Sequence, residues 1–320
     1  MSNETSSRYS ELMDSLNRAG RIETSPAEED VAAMVKSAIV NERPPIKLRW
    51  PRVSAAARFF TPGLSVLGGQ TGARKSWAAM EIGLACEVSG ERWSYLPLES
   101  DRTFYLRRLA CMLSKSFDPL LTREDCPDAP ARAAAAINSV ADLMNHIAPH
   151  IFNNPALPSK DFSAIQVTPN WIYDWIKRRF EKGDRVAIVD PLCMIQIRGR
   201  DAWAAENDFI QGLVNIGYKH ASTVVLTTHT TKRLERGKPL DVTDLQGGAA
   251  VGRNATSCLL IQAVQDESFS VCRAGGQRET VIANCVLTVG KCRNADSGQR
   301  FAFSFGRPRP EFMELGLIKK

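Results

Sequence analysis

Residues Leu64 to Ala79 read Leu-Ser-Val-Leu-Gly-Gly-Gln-Thr-Gly-Ala-Arg-Lys-Ser-Trp-Ala-Ala, and no other stretch restricts the fold as strongly. A short apolar run stops at Gly68 and Gly69, passes through a turn of small residues, and meets Lys75-Ser76 at the head of an apolar pattern of helical spacing. Strand, phosphate loop and helix is the order this predicts. In such a loop the backbone N–H groups and the helix N-terminus converge on phosphate oxygens. The lysine reaches the outer phosphates and the next hydroxyl ligates Mg²⁺. Gly69, Gly72, Ala73, Arg74, Lys75, Ser76 and Trp77 are therefore the candidate nucleotide-binding residues, with Ser76 also a metal ligand.

The fit to G-x-x-x-x-G-K-[ST] is incomplete, because Arg74 stands where the pattern has its second glycine. The loop keeps its geometry if Gly72 relieves the turn two positions earlier. The alternative is a Gly-rich turn before a helix, with Lys75 a solvated cap. The polar ends of the downstream strands decide between the two.

Composition narrows the field. With 320 residues and 44% hydrophobic content, the chain can bury a sizeable core. There is no run of 18 apolar residues, and Met-Ser-Asn-Glu-Thr-Ser-Ser lacks the regions of a signal peptide, so the expectation is a soluble, cytoplasmic protein with no membrane partner. Eight cysteines without any C-x-x-C, and four histidines, argue against zinc and disulfide frameworks. Residues 1–45 hold eight acids and five bases, which leaves 36 bases against 27 acids for the remainder. A basic core is compatible with a polyanion.

The polar segment 1–45, with weak helical patterns at Tyr9–Leu16 and Ala27–Val40, reads as an N-terminal extension, either a disordered tail or an arm that docks on a neighbouring subunit. Pro44-Pro45 marks its end, and 46–320 reads as one domain. After the helix Lys75–Val88, a second strand from Trp93 ends near Glu99, and a helix runs from Arg102 to about Leu113. Open α/β sheets bind ligands at the carboxyl ends of their strands, so Glu99 is the candidate base that polarises an attacking water. Its alternative is a helix-start acid, with Asp101 the true cap.

The stretch Tyr-Leu-Pro-Leu-Glu-Ser-Asp-Arg-Thr-Phe-Tyr-Leu-Arg-Arg-Leu resembles the second motif of DnaB-type hexameric replicative helicases and of the smaller plasmid and phage RepA-like helicases. The resemblance implies a RecA-like P-loop NTPase, α/β, with a mainly parallel central sheet and antiparallel strands at the C-terminal edge. It implies ATP and Mg²⁺ as cofactors and the catalytic-base role for Glu99.

Downstream features keep to the same order. Segment 130–145 is an Ala-rich helix, His150-Ile-Phe a short strand, and 169–181 a helix whose Trp171, Ile172, Trp175, Ile176 and Phe180 are core. Arg185-Val-Ala-Ile-Val-Asp190 is a buried strand ending in the second Mg²⁺-site candidate, Asp190. The basic turn with Arg198 and Arg200 is either a DNA-facing loop or a solvated one. Thr223–His229 is a further strand, and the resemblance makes His229 a γ-phosphate sensor. Lys232, Arg233, Arg236 and Lys238 then form a second candidate loop for a single-stranded backbone. Finally, Gly-Lys291-Cys-Arg293-Asn, before the alternating Phe301-Ala-Phe-Ser-Phe, resembles the family's late hairpin. By that resemblance Arg293 is an arginine finger for the adjacent subunit's ATP site and Lys291 its companion.

The implied function is an ATP-dependent hexameric helicase or translocase on single-stranded DNA, serving replication of a plasmid, phage or mobile element. Implied partners are further copies of the chain and possible primase, initiator or loader proteins. The alternatives are a RecA-like DNA-binding adaptor or regulator that uses ATP only for assembly, and a recombination or clock-type kinase.

Overall fold

The structure is a computed structural model that describes residues 46–121, 125–158, 163–199, 201–231, 238–273, 276–293, 296–306 and 309–319. The N-terminal extension, Arg200, Lys232, Arg233 and Arg236 lie outside the described residues.

The first half of the chain supplies α1 (Pro51–Ala57), β1 (Gly63–Gly69), α2 (Lys75–Val88), β2 (Trp93–Pro97), α3 (Arg102–Ser114), α4 (Ala129–Asn138) and α5 (Ala141–Ile147). The second half supplies α6 (Pro169–Glu181), β3 (Val186–Asp190), α7 (Ala202–Lys219), β4 (Thr223–His229), α8 (Gly248–Asn254) and β5 (Ser257–Cys272). Three antiparallel strands end it: β6 (Arg278–Cys292), β7 (Arg300–Phe305) and β8 (Phe312–Ile318). They build one sheet in the order β2-β3-β4-β1-β5-β6-β7-β8.

From β2 to β5 every pairing is parallel, with β1 at the centre between β4 and β5. A parallel sheet is covered on both faces, and its strands are apolar throughout rather than alternating. That explains why every residue of β1, β2 and β3 is buried. One apolar layer packs α1, α2 and α3 on the first face, and the other packs α6, α7 and α8 on the second. The short strand expected at His150 is instead a 3-10 turn followed by a single bridge from Ile151 to Tyr95. The one Ala-rich helix expected over 130–145 is two, α4 and α5, broken at Ser139 and Val140.

The outer half of β5 leaves the parallel sheet and pairs antiparallel with β6, while β6, β7 and β8 follow in turn. Val271 and Cys272 also pair with Ile318 and Leu317 of β8, so these four strands curl back on themselves around a small apolar core of their own.

The lead-in segment joins this antiparallel part to α2. Trp50 is fully buried and meets the rings of Phe303 and Phe312 edge-on. Beside it, Arg49 bridges Glu311 and the buried Glu81 of α2. Burial raises the Glu81 carboxyl to about 7, and Arg49 only partly opposes that. The folded state therefore holds this proton to a higher pH than the unfolded chain does. Stability contributed here is complete below the ordinary value of 4.5 and is lost as pH rises through about 7. Replacing Glu81→Gln should leave stability unchanged near pH 4 and raise it at pH 8, by up to ~3 kcal/mol. Urea unfolding at both pH values measures this, and an equal effect at the two would refute the linkage.

Candidate nucleotide site

The parallel strands point the same way, so their carboxyl ends meet along one edge, where Gly69 sits opposite His229 and Pro97 opposite Asp190. At that edge a cleft of about 240 Å³ is lined by Gly72, Arg74, Lys75, Ser76 and Trp77 from the loop and α2. Glu99, Asp190 and His229, from the ends of three different strands, line the same cleft.

Lys75 sits at its floor, 5% exposed. Its ammonium donates to the carbonyls of Gly69 at 3.0 Å and Gln70 at 2.8 Å, and lies 3.2 Å from Nδ1 of His229. Three donors thus meet three acceptors. Burial lowers the Lys75 amine to about 8, and the charges of Asp190 and Glu99 work against that shift. Since the ammonium can only donate, Nδ1 of His229 accepts, and Thr71 Oγ1, 3.3 Å away, has the same acceptor to meet. His229 is accordingly the neutral tautomer protonated on Nε2. Burial first, and then the Lys75 charge, hold its pKa below the ordinary value.

Asp190 is buried, and its carboxylate accepts from the hydroxyls of Tyr95 and Thr227. Burial pushes the Tyr95 phenol well up, so that hydroxyl stays a donor. Both Asp190 oxygens keep spare lone pairs. Mg²⁺ favours one or two protein oxygens together with phosphate oxygens and water. Asp190 and the hydroxyl of Ser76 are donors of that class on one cleft, and among the described residues no group of three or more His, Cys, Asp or Glu could hold a metal alone. Glu99 is exposed just past β2, and the helix-capping task falls to Asp101, which accepts from the backbone N–H of Phe104 at 2.7 Å. The Glu99 carboxylate is left to the cleft.

No family model matches the chain, and no curated protein resembles it in sequence. Solved structures do resemble it. One of them, an ATPase domain, superposes with a TM-score of 0.66 at 11% identity, covering 92% of this chain and all of that one. A DnaB-like replicative helicase, studied with its interactions with primase, superposes with a TM-score of 0.63 at 13% identity, covering 93% of this chain and 68% of that one. This chain shares the RecA-like fold of these two structures.

Within the RecA-like core, the remaining sequence candidates fall in three places. Gly69 and Ala73 support the loop from behind: a Cβ on Gly69 would lie 2.4 Å from the Ile261 carbonyl, and Ala73 is buried. Trp77 is also mostly buried, edge-on to Phe117 and Phe305. Arg198 and Lys238 are exposed, in the segments that follow β3 and β4, and do not line the cleft. Lys291 and Arg293 are not at the edge that holds the cleft. Ser65 of β1 pairs with Ser257, and Ser257 with Cys292, which puts both bases at the opposite end of the sheet from Gly69. There they donate to the C-terminal carbonyls of α8: Lys291 to Gly252 and Arg253, Arg293 to Arg253 and Asn254.

Five residues that line the cleft were not among the sequence candidates: Thr71, Ser100, Phe104, Tyr105 and Arg108. The Arg108 guanidinium lies over Phe104 at 4.2 Å and over Trp77 at 5.4 Å, and it lines the cleft. The signal was there, since an aromatic one turn ahead of an arginine on a helix places the cation over the ring.

The RecA-like loop also resolves the Arg74 anomaly. Gly72 has φ +79°, but Arg74 is left-handed too, at φ 68° and ψ 23°. The residue standing in place of glycine adopts glycine's conformation. It is tied there by a 3.0 Å bond from its guanidinium to the Asn284 carbonyl and by contact with the Phe305 ring, 4.9 Å from the centroid. Left-handed backbone costs a non-glycine residue ~1 kcal/mol. Arg74→Ala should therefore destabilise, keeping the strain while losing both anchors, whereas Arg74→Gly should be more stable than Arg74→Ala by ~1 kcal/mol. Denaturant midpoints for the two variants check the order.

Proposed function

We propose that this chain is an ATPase of ring-helicase type, in which a protomer binds ATP·Mg²⁺ at the Lys75 cleft and a neighbouring copy helps to cleave it. The observation that carries the reading is the convergence of Lys75, Ser76, Glu99, Asp190 and His229 on a single cleft at the carboxyl edge of a RecA-like sheet. In the nucleotide-bound state the Lys75 ammonium exchanges the Gly69 and Gln70 carbonyls for outer phosphate oxygens. Ser76 and Asp190 would hold Mg²⁺, whose charge would supply electrostatic stabilisation at the phosphates. Glu99 orients the attacking water and takes its proton. His229, already in contact with Lys75, senses the terminal phosphate and passes its presence to the loop after β4.

Arg293 and Lys291 lie too far along the sheet to serve their own cleft, so in this reading they act on the adjacent protomer. Single-stranded DNA would then track the basic loops after β3 and β4, carrying Arg198, Arg200, Lys232, Arg233, Arg236 and Lys238. Replication of a plasmid, phage or mobile element is the setting, with a hexameric ring and a primase, initiator or loader as partners. The DnaB-like structural neighbour, which interacts with primase, supports the choice of primase among these partners. Residues 1–45 would form a subunit-docking arm.

A second reading draws on Arg74, whose bulk and charge at the loop could favour holding ATP over cutting it. It makes the chain an assembly regulator that forms oligomers with a non-hydrolysable analogue and unwinds nothing. Strand-displacement assays separate the two.

Lys75→Ala and Arg293→Ala should each lower ATP turnover at least ~10³-fold. Mixed, they should regain a minority of activity at sites pairing an intact Lys75 with an intact neighbouring Arg293. Phosphate release measured across mixing ratios tests this, and no recovery at any ratio would refute catalysis between subunits. Because the Lys75 amine sits at about 8 in the free protein and phosphate favours its charged form, nucleotide binding should take up protons as pH rises through about 8. Calorimetry in two buffers of different ionisation enthalpy reads the uptake directly, and it should vanish in Lys75→Ala.

A further inference from the structure

We propose that Trp203 is a stacking platform for one unpaired base of a single-stranded nucleic acid, with Arg253 bracing the indole and Arg198 close by in sequence for a backbone phosphate. The proposal rests on the helicase reading and adds an aromatic contact to it.

Trp203 stands apart from the other tryptophans. Trp50, Trp77, Trp93 and Trp175 are buried and Trp171 is half-buried, whereas Trp203 is 54% exposed. It is nonetheless held firmly. Its backbone N–H donates to the Asp201 carboxylate at 2.9 Å, which fixes it at the start of α7. The Arg253 guanidinium lies 4.8 Å from the ring centroid, and Arg253 is itself steadied by a bond from Nε to the Ala249 carbonyl. A large rigid ring with much of its surface open loses little conformational freedom when a flat partner arrives.

The charge around the ring decides which partner. Arg198 bonds the neutral Gln196, and neither Arg198 nor Arg253 forms an ion pair among the described residues. Of the carboxylates close to Trp203 in sequence, Asp201 caps α7 and Glu206 meets the Gln246 amide at 3.3 Å. A guanidinium on an open aromatic face, with a second arginine five residues ahead of the ring in sequence, suits a polyanion that carries flat bases. Single-stranded nucleic acid brings phosphate and base together, and stacking there tolerates any sequence.

The test uses the full chain with Mg²⁺ and a non-hydrolysable ATP analogue, titrated against a fluorescent oligo-dT at fixed salt. Wild type, Trp203→Ala, Trp203→Phe and Arg253→Ala are compared, with particle mass recorded for each. Trp203→Ala should bind about tenfold more weakly, Trp203→Phe should recover most of the affinity, and the DNA-free ATPase rate should not change. Equal affinity of Trp203→Ala and wild type overturns the proposal alone. Loss of binding together with a fall in particle mass also overturns it, because Trp203 is then a contact between copies. If wild type binds no oligonucleotide, the helicase reading and this proposal fail together.

Discussion

Everything at the cleft depends on how one buried ammonium is accommodated. An amine taken out of water must find acceptors or give up its proton, and Lys75 finds two loop carbonyls and an imidazole. Those acceptors close the loop around the lysine, so the charged group that would meet phosphate also orders the loop in its absence. The arrangement is finely balanced, since the amine is held at about 8. A phosphate needs only to outcompete three ordinary hydrogen bonds to draw the lysine away. His229, which shares that network, cannot remain indifferent when it happens. On the proposed reading, the contact between Lys75 and His229 would be the physical basis for sensing, whatever element then responds.

The antiparallel half of the sheet does more than close the fold. It supplies the Asn284 carbonyl and the Phe305 ring that keep Arg74 left-handed, and Phe312 and Glu311 pack the lead-in segment beside Glu81. Helix α2 is therefore gripped at its first turn by Arg74 and again further along by Glu81. Both grips come from residues far away in sequence. A loop with a glycine at position 74 would not need the first of them; this chain uses side-chain anchoring where backbone permissiveness is the usual solution.

Much of this was legible in the sequence because parallel strands leave continuous apolar runs. The runs 64–67, 93–98, 185–190 and 223–229 could be read directly as strands, and so could the polar exits of the last three, which is why Glu99, Asp190 and His229 could be named and then found on one cleft. The outer half of β5 and all of β8 were not legible. There the burial pattern mixes exposed and buried residues irregularly, and register shifts interrupt the pairings. The left-handed Arg74 was hidden for a different reason. Its conformation is fixed by tertiary contacts to β6 and β7, and local sequence carries no sign of them. Arg108 was missed because its role lies in the aromatic rings around it and not in any spacing from the loop.

The polarity of the sheet sets what any one protomer can do. Parallel strands deliver the loop, Glu99, Asp190 and His229 to one edge, and antiparallel β6 carries Lys291 and Arg293 back to the other. From Ser257, level with Cys292, to Ile261, level with Gly69, β5 advances four residue steps, or about 13 Å of strand. Neither base can span that distance and still hold the α8 carbonyls. Any catalytic contribution from Arg293 must therefore be made to another copy of the chain, and making it would release the C-terminal carbonyls of α8. Arg253 sits in that same last turn with its guanidinium on Trp203. On the proposed reading, a neighbour's nucleotide and the Trp203 face would be connected through one short helix, a mechanical route from hydrolysis at one interface to the surface proposed for nucleic acid.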